Sequence, residues 1–250
     1  MKVWLATNGS LQGVLYGHTD VIIDLQISYC NRYIISAGKE GKILIWDLLN
    51  LKLLHVCDEH SGPVNSLKVV QTKLLKTEAQ LLYSGSEDGF INVYNLDNIG
   101  LSIEELEEDN PVKTRRAKPS QNKNPVFLFS LDSTYFTGNK NNKKINSIDV
   151  SNKRGLIFSG CYGGDLLIWR TDNYRRDKVV KEAYELVSKF KAHSQILHLI
   201  SISPDENFFM TGATDGTVKI WRQPETSSEI SNLIDELERG VKAGGNKKEY

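Results

Sequence analysis

Charge of one sign is missing from this chain. Its 250 residues carry 31 Lys and Arg against 31 Asp and Glu, a formal net charge of zero. A neutral chain exerts no long-range pull on nucleic acid or anionic lipid. Cysteine is scarce as well. Cys30, Cys57 and Cys161 are odd in number, widely spaced and free of any Cys-x-x-Cys. That argues against a disulfide framework or a cysteine-built zinc site and suits a reducing compartment. No stretch approaches the roughly 18–20 apolar residues that a membrane span needs. The first ten residues hold no long apolar run of the signal-peptide kind. An intracellular chain, nuclear or cytoplasmic, is the expectation by elimination. Catalytic signals are missing too. No glycine-rich phosphate loop joins a strand to a helix, and no His/Cys/Asp cluster has metal spacing. Neither an enzyme, a cofactor, a metal nor a small-molecule substrate is expected.

What is present is repetition. One phrase occurs four times, at Ser36–Trp46, Ser84–Tyr94, Ser159–Trp169 and Thr211–Trp221. Each time a Ser or Thr precedes an aromatic by ten residues, with a glycine-bearing turn between them. A repeat of this kind points to a stacked architecture and a binding surface rather than a catalytic pocket. In the fourth copy, Leu197–Ile202 meets the turn cluster Ser203-Pro-Asp-Glu-Asn207. Phe208–Gly212 is a second apolar run. Thr214-Asp-Gly216 is a hairpin turn, and Thr217–Trp221 is a β-branched third run. The other copies repeat the meander at Ile22–Ile27, Tyr33–Ala37 and Lys42–Trp46; at Val64–Val70, Gln80–Gly85 and Phe90–Tyr94; and at Ile145–Val150, Gly155–Gly160 and Asp165–Trp169. A fourth strand is expected at Leu11–Tyr16, Lys52–Cys57, Val126–Leu131 and Tyr184–Phe190. Four-stranded antiparallel units in tandem predict an all-β propeller.

These residues resemble the WD40 family over residues 1–222. Gly17-His18 with Trp46-Asp47 is that family's signature, and Glu59-His60 with Tyr94-Asn95 and Ala192-His193 with Trp221-Arg222 are variants of it. The resemblance implies a WD40-type β-propeller with blades near 22–57, 64–131, 145–190 and 197–221. A partial blade at 1–16, whose Lys2-Val-Trp4 looks like the end of another copy, precedes them. Such a propeller, with four complete blades and a partial one, is expected to be incomplete or open. Three arrangements fit the partial start: a fragment or open arc of a larger propeller, an edge completed by a partner chain, or a small closed ring. Propellers close with about four to eight blades.

The resemblance also implies that residues tempting as a Ser-His-acid triad are structural. A triad is needed once, not in every repeat. His18, Ser36, Glu40 and Trp46 form the first expected hydrogen-bond network. His60, Ser84, Asp88 and Tyr94 form the second, and His193, Thr211, Asp215 and Trp221 the fourth. The third retains only Ser159 and Trp169, with Gly163 at the acidic position, so its blade is expected to be the least rigid. Partner-binding positions carried over from the family flank the start of each inner strand and precede the turn acid. They are Val21, Ile23 and Lys39; Pro63, Asn65 and Glu87; Lys144, Asn146 and Tyr162; and Ile196, His198 and Thr214. A mixed rim with an aromatic suits protein or peptide partners better than a phosphate backbone. Tyr162 and His198 are the preferred anchors.

Two segments stand outside the repeat. Residues 97–125 carry an acidic run, Ile103–Asp109, and a basic run, Val112–Lys118, and read as a flexible charged insertion. A smaller charged insertion spans 172–183. In 226–242, a capping box at Thr226–Glu229 precedes Ile230, Leu233, Ile234, Leu237 and Val241, the spacing of a short amphipathic helix. Residues 243–250 are expected to be disordered. Within WD40 proteins, the run from Trp4 to His18 and the order of the copies resemble the bromodomain-and-WD-repeat family, which implies a nuclear, chromatin-linked adaptor. A substrate receptor of a cullin-type ubiquitin ligase is the alternative. Such receptors often end a blade in Trp-Asp-x-Arg, which none of Trp46-Asp-Leu-Leu49, Trp169-Arg170 and Trp221-Arg222 matches. A cytoplasmic assembly or trafficking scaffold is the third reading.

Overall fold

The computed structural model describes residues 1–74, 77–99, 126–133, 143–171 and 184–223. Most of the 97–125 insertion, the 172–183 insertion and the segments 226–242 and 243–250 lie outside the described residues. The described chain is built of antiparallel sheets that follow one another in sequence order. A two-stranded sheet comes first, β1 (Lys2–Leu5) and β2 (Ser10–Val14). Blade 1 holds β3 (Ile22–Ile27), β4 (Tyr33–Gly38), β5 (Ile43–Asp47) and β6 (Lys52–Cys57). Blade 2 holds β7 (Val64–Leu74), β8 (Thr77–Ser86), β9 (Phe90–Asn95) and β10 (Phe127–Asp132). Blade 3 holds β11 (Ile145–Ser151), β12 (Leu156–Cys161), β13 (Asp165–Arg170) and β14 (Glu185–Lys191). Blade 4 holds β15 (Leu197–Ile202), β16 (Phe208–Ala213) and β17 (Val218–Arg222), three strands among the described residues.

The core lies between sheets rather than within them. Blades 1 and 2 share a cluster that includes Ile35, Ala37, Ile43, Val64, Leu67 and Tyr94. Blades 2 and 3 share Leu81, Tyr83, Ile91, Ile145, Ile148 and Trp169. Blades 3 and 4 share Phe158, Leu166, Leu197, Ile200 and Phe209. Met1 and Val3 of the first sheet pack with Leu15 against Ile34, Leu44 and Trp46 of blade 1. Apolar burial between successive sheets is thus the main stabilising term at each junction. The inner strands β3, β7, β11 and β15 meet in that order, so the blades are arranged radially with their first strands inside.

Strand β7 and its partner β8 are longer than the runs Val64–Val70 and Gln80–Gly85 expected from sequence. Their ladder continues to Leu74 opposite Thr77 because the intervening Gln71 and Thr72 oppose Gln80 and Ala79 in regular register. No proline or glycine interrupts that extension. The hairpin turn before each third strand repeats one geometry, with Gly41, Gly89, Gly164 and Gly216 at φ between 77° and 89°. At Gly164 the chain also passes close to its neighbour, and a Cβ there would lie 2.2 Å from the His193 carbonyl oxygen. Glycine alone meets both demands.

Candidate functional site

Every inner strand carries a register shift at the same place, between Ile22 and Asp24, Val64 and Ser66, Ile145 and Ser147, and Leu197 and Leu199. The residue left out of the ladder is Ile23, Asn65, Asn146 or His198. A bulge bends the strand and re-aims the extra side chain. Four of the expected rim positions are therefore the bulged residues themselves. In each blade a backbone bond then ties the residue before the inner strand to the residue before the turn-acid position, which is Gly163 in blade 3. Lys39 N donates to Val21 O at 2.8 Å, Glu87 to Pro63 at 3.0 Å, Tyr162 to Lys144 at 2.9 Å and Thr214 to Ile196 at 2.9 Å.

Side chains from blades 2 and 3 converge on this rim. Lys144 Nζ donates to Glu87 Oε2 at 2.5 Å, and the Tyr162 hydroxyl donates to Glu87 Oε1 at 2.8 Å. The Lys144 ammonium also sits 5.4 Å from the Tyr162 ring centroid, within cation–π range. Partial burial opposes ionisation of Glu87, yet the Lys144 and Tyr162 bonds outweigh it and hold the carboxyl below its ordinary range. Tyr162 is pushed up to about 12, first by burial and then by the Glu87 carboxylate it bonds. The bulged asparagines reach across to the next blade. Asn65 Nδ2 donates to Ile145 O at 2.9 Å, and Asn146 Nδ2 donates to Leu197 O at 3.1 Å and lies 3.1 Å from His198 Nδ1. The structure brings together Asn65, Glu87, Lys144, Tyr162, Asn146 and His198. Val21, Ile23 and Lys39 of blade 1 and Thr214 of blade 4 make no side-chain bond to that group among the contacts seen.

Beneath the rim lie the residues of the expected networks. In blade 1, His18 Nδ1 is 2.5 Å from Glu40 Oε1, its Nε2 is 2.7 Å from Ser36 Oγ, and Trp46 Nε1 donates to Ser36 Oγ at 2.9 Å. In blade 2, His60 is 2.8 Å from Asp88 and 2.7 Å from Ser84. There the Tyr94 hydroxyl accepts from Asn92 Nδ2 at 3.3 Å, while complete burial drives its pKa well above the ordinary value. In blade 4, His193 Nδ1 contacts Asp215 Oδ2 at 3.2 Å and Thr217 Oγ1 at 3.0 Å. Its Nε2 is 2.7 Å from Thr211 Oγ1, and Trp221 Nε1 donates to that same hydroxyl at 2.9 Å. The Thr217 hydroxyl, followed by the Ser194 and Thr217 backbone amides, holds Asp215 well below the usual carboxylate range. Blade 3 keeps only the bond from Trp169 Nε1 to Ser159 Oγ, at 3.2 Å. Such bonds satisfy groups whose burial would otherwise be costly.

A second set of contacts lies outside the repeated phrases. Asp24, Ser66 and Ser147 occupy one position, two residues after the start of each inner strand. Asp24 Oδ2 accepts from Leu67 N at 2.7 Å, Ser66 Oγ from Ile148 N at 3.1 Å and Ser147 Oγ from Ile200 N at 3.0 Å. Each is a polar latch from one blade to the next. A small polar residue recurring at that offset in three copies was the signal. Asp149 adds a further link, pairing with Lys68 at 2.6 Å and accepting from Ile202 N at 2.8 Å. Cys57 and Cys161 are buried free thiols, and burial pushes Cys161 up to about 12. Among the described residues no group of three or more His, Cys, Asp and Glu side chains could hold a metal ion, and no helix is long and apolar enough to cross a membrane.

Comparison with known proteins agrees with this geometry. The family model for the WD domain, G-beta repeat, matches residues 9–47, 51–95 and 184–222. The unmatched stretch holds the third phrase, whose copy has no histidine before it and has Gly163 in place of the turn acid. A Denticleless protein homolog of Danio rerio is 22% identical over 245 residues, covering 88% of this chain and 34% of its own length. A bromodomain and WD repeat-containing protein of Dictyostelium discoideum is 23% identical, covering 93% of this chain and 12% of its own. This chain thus spans about a third of the former's length and less of the latter's. Among solved structures, a chain of the mitotic checkpoint complex superposes with a TM-score of 0.61 at 18% identity, over 87% of this chain and 54% of that one. Repeated phrase, radial sheets and family match lead to one conclusion: the chain belongs to the WD40-repeat family and folds as a β-propeller array.

Proposed function

We propose that this protein is a non-catalytic interaction scaffold that holds a protein or peptide partner on the rim formed by the bulged ends of its inner strands. The observation that carries this reading is the cluster of Glu87, Lys144 and Tyr162 beside Asn146 and His198. Glu87 and Lys144 neutralise each other, so of the three charged rim positions only Lys39 keeps an uncompensated charge. A near-neutral rim with an aromatic ring and amide side chains suits peptide recognition, where aromatic anchors dominate affinity. A nucleic-acid surface would need clustered cations. The finer role we favour is a chromatin-linked adaptor inside the nucleus. The likeness to a bromodomain and WD repeat-containing protein over nearly the whole chain supports it.

The test is quantitative co-purification from native cells with the wild-type chain and a Tyr162→Ala/His198→Ala variant of unchanged thermal stability. The scaffold reading expects a defined set of proteins that the variant loses by about tenfold or more. Histones and their modifiers in that set support the chromatin role. Ubiquitin-ligase subunits or coat components there would replace it with one of the other scaffold roles. Partners retained equally by both chains would move the site off this rim.

A further inference from the structure

In blades 1 to 3 the outermost strand ends its sheet, so its outer backbone groups have no ladder partner within that sheet. Natural sheets protect such edges with charge or with cover. The three outer strands differ in this respect. On β14 the exposed residues are Glu185, Lys189 and Lys191, all charged. On β10 no residue is exposed, and Leu128 and Phe129 pack against the cluster shared with blade 3. On β6 the exposed residues are Lys52, Leu53, Leu54 and Val56, and the three apolar ones are 43%, 43% and 38% exposed. All three strands carry a bulge at the same place, so the backbone does not set β6 apart. Its side chains do.

The exposure belongs to the circumference of the array. Both flanking sheets are in place beside β6. Cys57 lies in the cluster shared with blade 2, and Leu51 packs with Met1 and Val3 of the first sheet against Leu15 and Trp46. Leu53, Leu54 and Val56 stay exposed between them. The turn before the strand adds Leu49, 84% exposed. Apolar side chains on an unprotected edge are a template for pairing with another strand.

Charge decides which strand fits. β6 starts at Lys52, and Asp58 follows directly after its end. Both are exposed, and neither has an ion-pair partner among the described residues. The segment therefore has a positive end and a negative end with apolar residues between them. Its complement is the same segment reversed. Laid antiparallel across a two-fold axis at His55, two such strands set Lys52 beside Asp58 at both ends and Leu54 beside Val56 on either side of the axis. A parallel arrangement would set like charges together, which opposes pairing. We infer that β6 pairs edge to edge with the β6 of a second copy of this chain. The contact is isologous and uses the edge of both copies, so it closes at two. A single strand pair is small beside the ~1,200–2,000 Å² of a standard interface, so the dimer is expected to be reversible and concentration-dependent.

Sedimentation equilibrium over a concentration series tests this with the full chain and with Leu54→Lys, Lys52→Glu and Asp58→Lys. All three positions are exposed, so each separate chain is expected to keep its fold, which circular dichroism checks. The wild type is expected to approach twice its 28.2 kDa mass as concentration rises. Leu54→Lys places a charge in the middle of the edge and is expected to stay at a single chain mass. Lys52→Glu and Asp58→Lys each set like charges together at both ends and should raise the dissociation constant about tenfold. An equimolar mixture of those two is expected to recover wild-type association, because every charge pair between the unlike copies is then attractive. A wild type that stays at a single chain mass at its highest soluble concentration overturns the inference and leaves the edge to a strand of another protein. Leu54→Lys that associates like the wild type, or a mixture no tighter than its separate variants, overturns it equally.

Discussion

Replacing Gly160 by alanine tests the packing plan of the junctions most directly. The new methyl group would sit 2.3 Å from Leu197 Cδ2 and 3.0 Å from its Cγ. Leu197 is fully buried between blades 3 and 4, so its side chain has nowhere to swing. Overpacking of this kind costs about 1–3 kcal/mol. Loss of glycine freedom in the unfolded chain returns about 0.4–1 kcal/mol, which leaves a net destabilisation of up to about 2.6 kcal/mol. Leu197→Ala alone opens a cavity and costs about 2–5 kcal/mol. In that background the Gly160→Ala methyl group fills space instead of colliding, and the substitution becomes neutral or mildly stabilising. Urea denaturation of the wild type, both single variants and the double variant, followed by circular dichroism, gives the coupling between the two sites. It should amount to about 1–3 kcal/mol in favour of the pair. Gly212→Ala, at the same register and with no described atom nearer its Cβ than Leu199 Cβ at 3.9 Å, serves as the control and should not destabilise. If Gly160→Ala costs as much in the Leu197→Ala background as in the wild type, or if Gly212→Ala costs as much as Gly160→Ala, the glycine is not a socket.

Other consequences are open to measurement. His193→Ala strips Thr211, Asp215 and Thr217 of a shared partner in a buried site and should destabilise by about 1–3 kcal/mol in the same urea assay; no change would mean the network contributes nothing. In an ultraviolet pH titration, Tyr162 should ionise near 12. Glu87→Gln removes a negative neighbour that opposes the phenolate, so that titration should move down toward the ordinary value of 10.0; an unmoved curve would refute the pairing. Burial works against ionised Asp88, but the His60 bond outweighs it and holds the carboxyl below its ordinary 3.8. Its contribution is therefore present above that value and is lost as pH falls through the depressed folded one. Stability of Asp88→Asn should show a shallower acid fall than the wild type. In hydrogen exchange on dilute protein, β12 amides should outlast those of β16, because every residue of β12 is buried while β16 has exposed positions.

That last expectation reverses the ranking read from the residues, and the reason is instructive. Histidine, serine, acid and tryptophan within one copy are legible in the sequence, so blade 4 looked strongest and blade 3 weakest. Burial between blades is not written within a copy. Blade 3 lacks the histidine yet is enclosed on both sides, by Tyr83 and Leu81 on one and by Leu197 and Phe209 on the other. The four meanders and their turns were legible because Asp-Gly, Glu-Gly and Gly-Gly turns interrupt β-branched runs at constant spacing. The rim positions were reachable only by family resemblance. The bulge that takes Ile23, Asn65, Asn146 and His198 out of the ladder leaves no residue signature of its own. The latches of Asp24, Ser66 and Ser147 were overlooked because each reads as an ordinary strand residue until its neighbour in the next sheet is known.

The paired sizes at the junctions bear on how such a chain can change its blade number. Ala37 shares a buried cluster with Val64, while Gly85 and Gly160 lie close against Ile145 and Leu197. A duplicated copy of blade 3 inserted after blade 3 would set Ile145 against Gly160, a combination of the kind already used between blades 2 and 3. The same copy inserted after blade 1 would drive an isoleucine against Ala37. Gene duplication and blade shuffling in this chain are thus permitted at the later joints and obstructed at the first, unless a compensating Ala37→Gly accompanies the insertion.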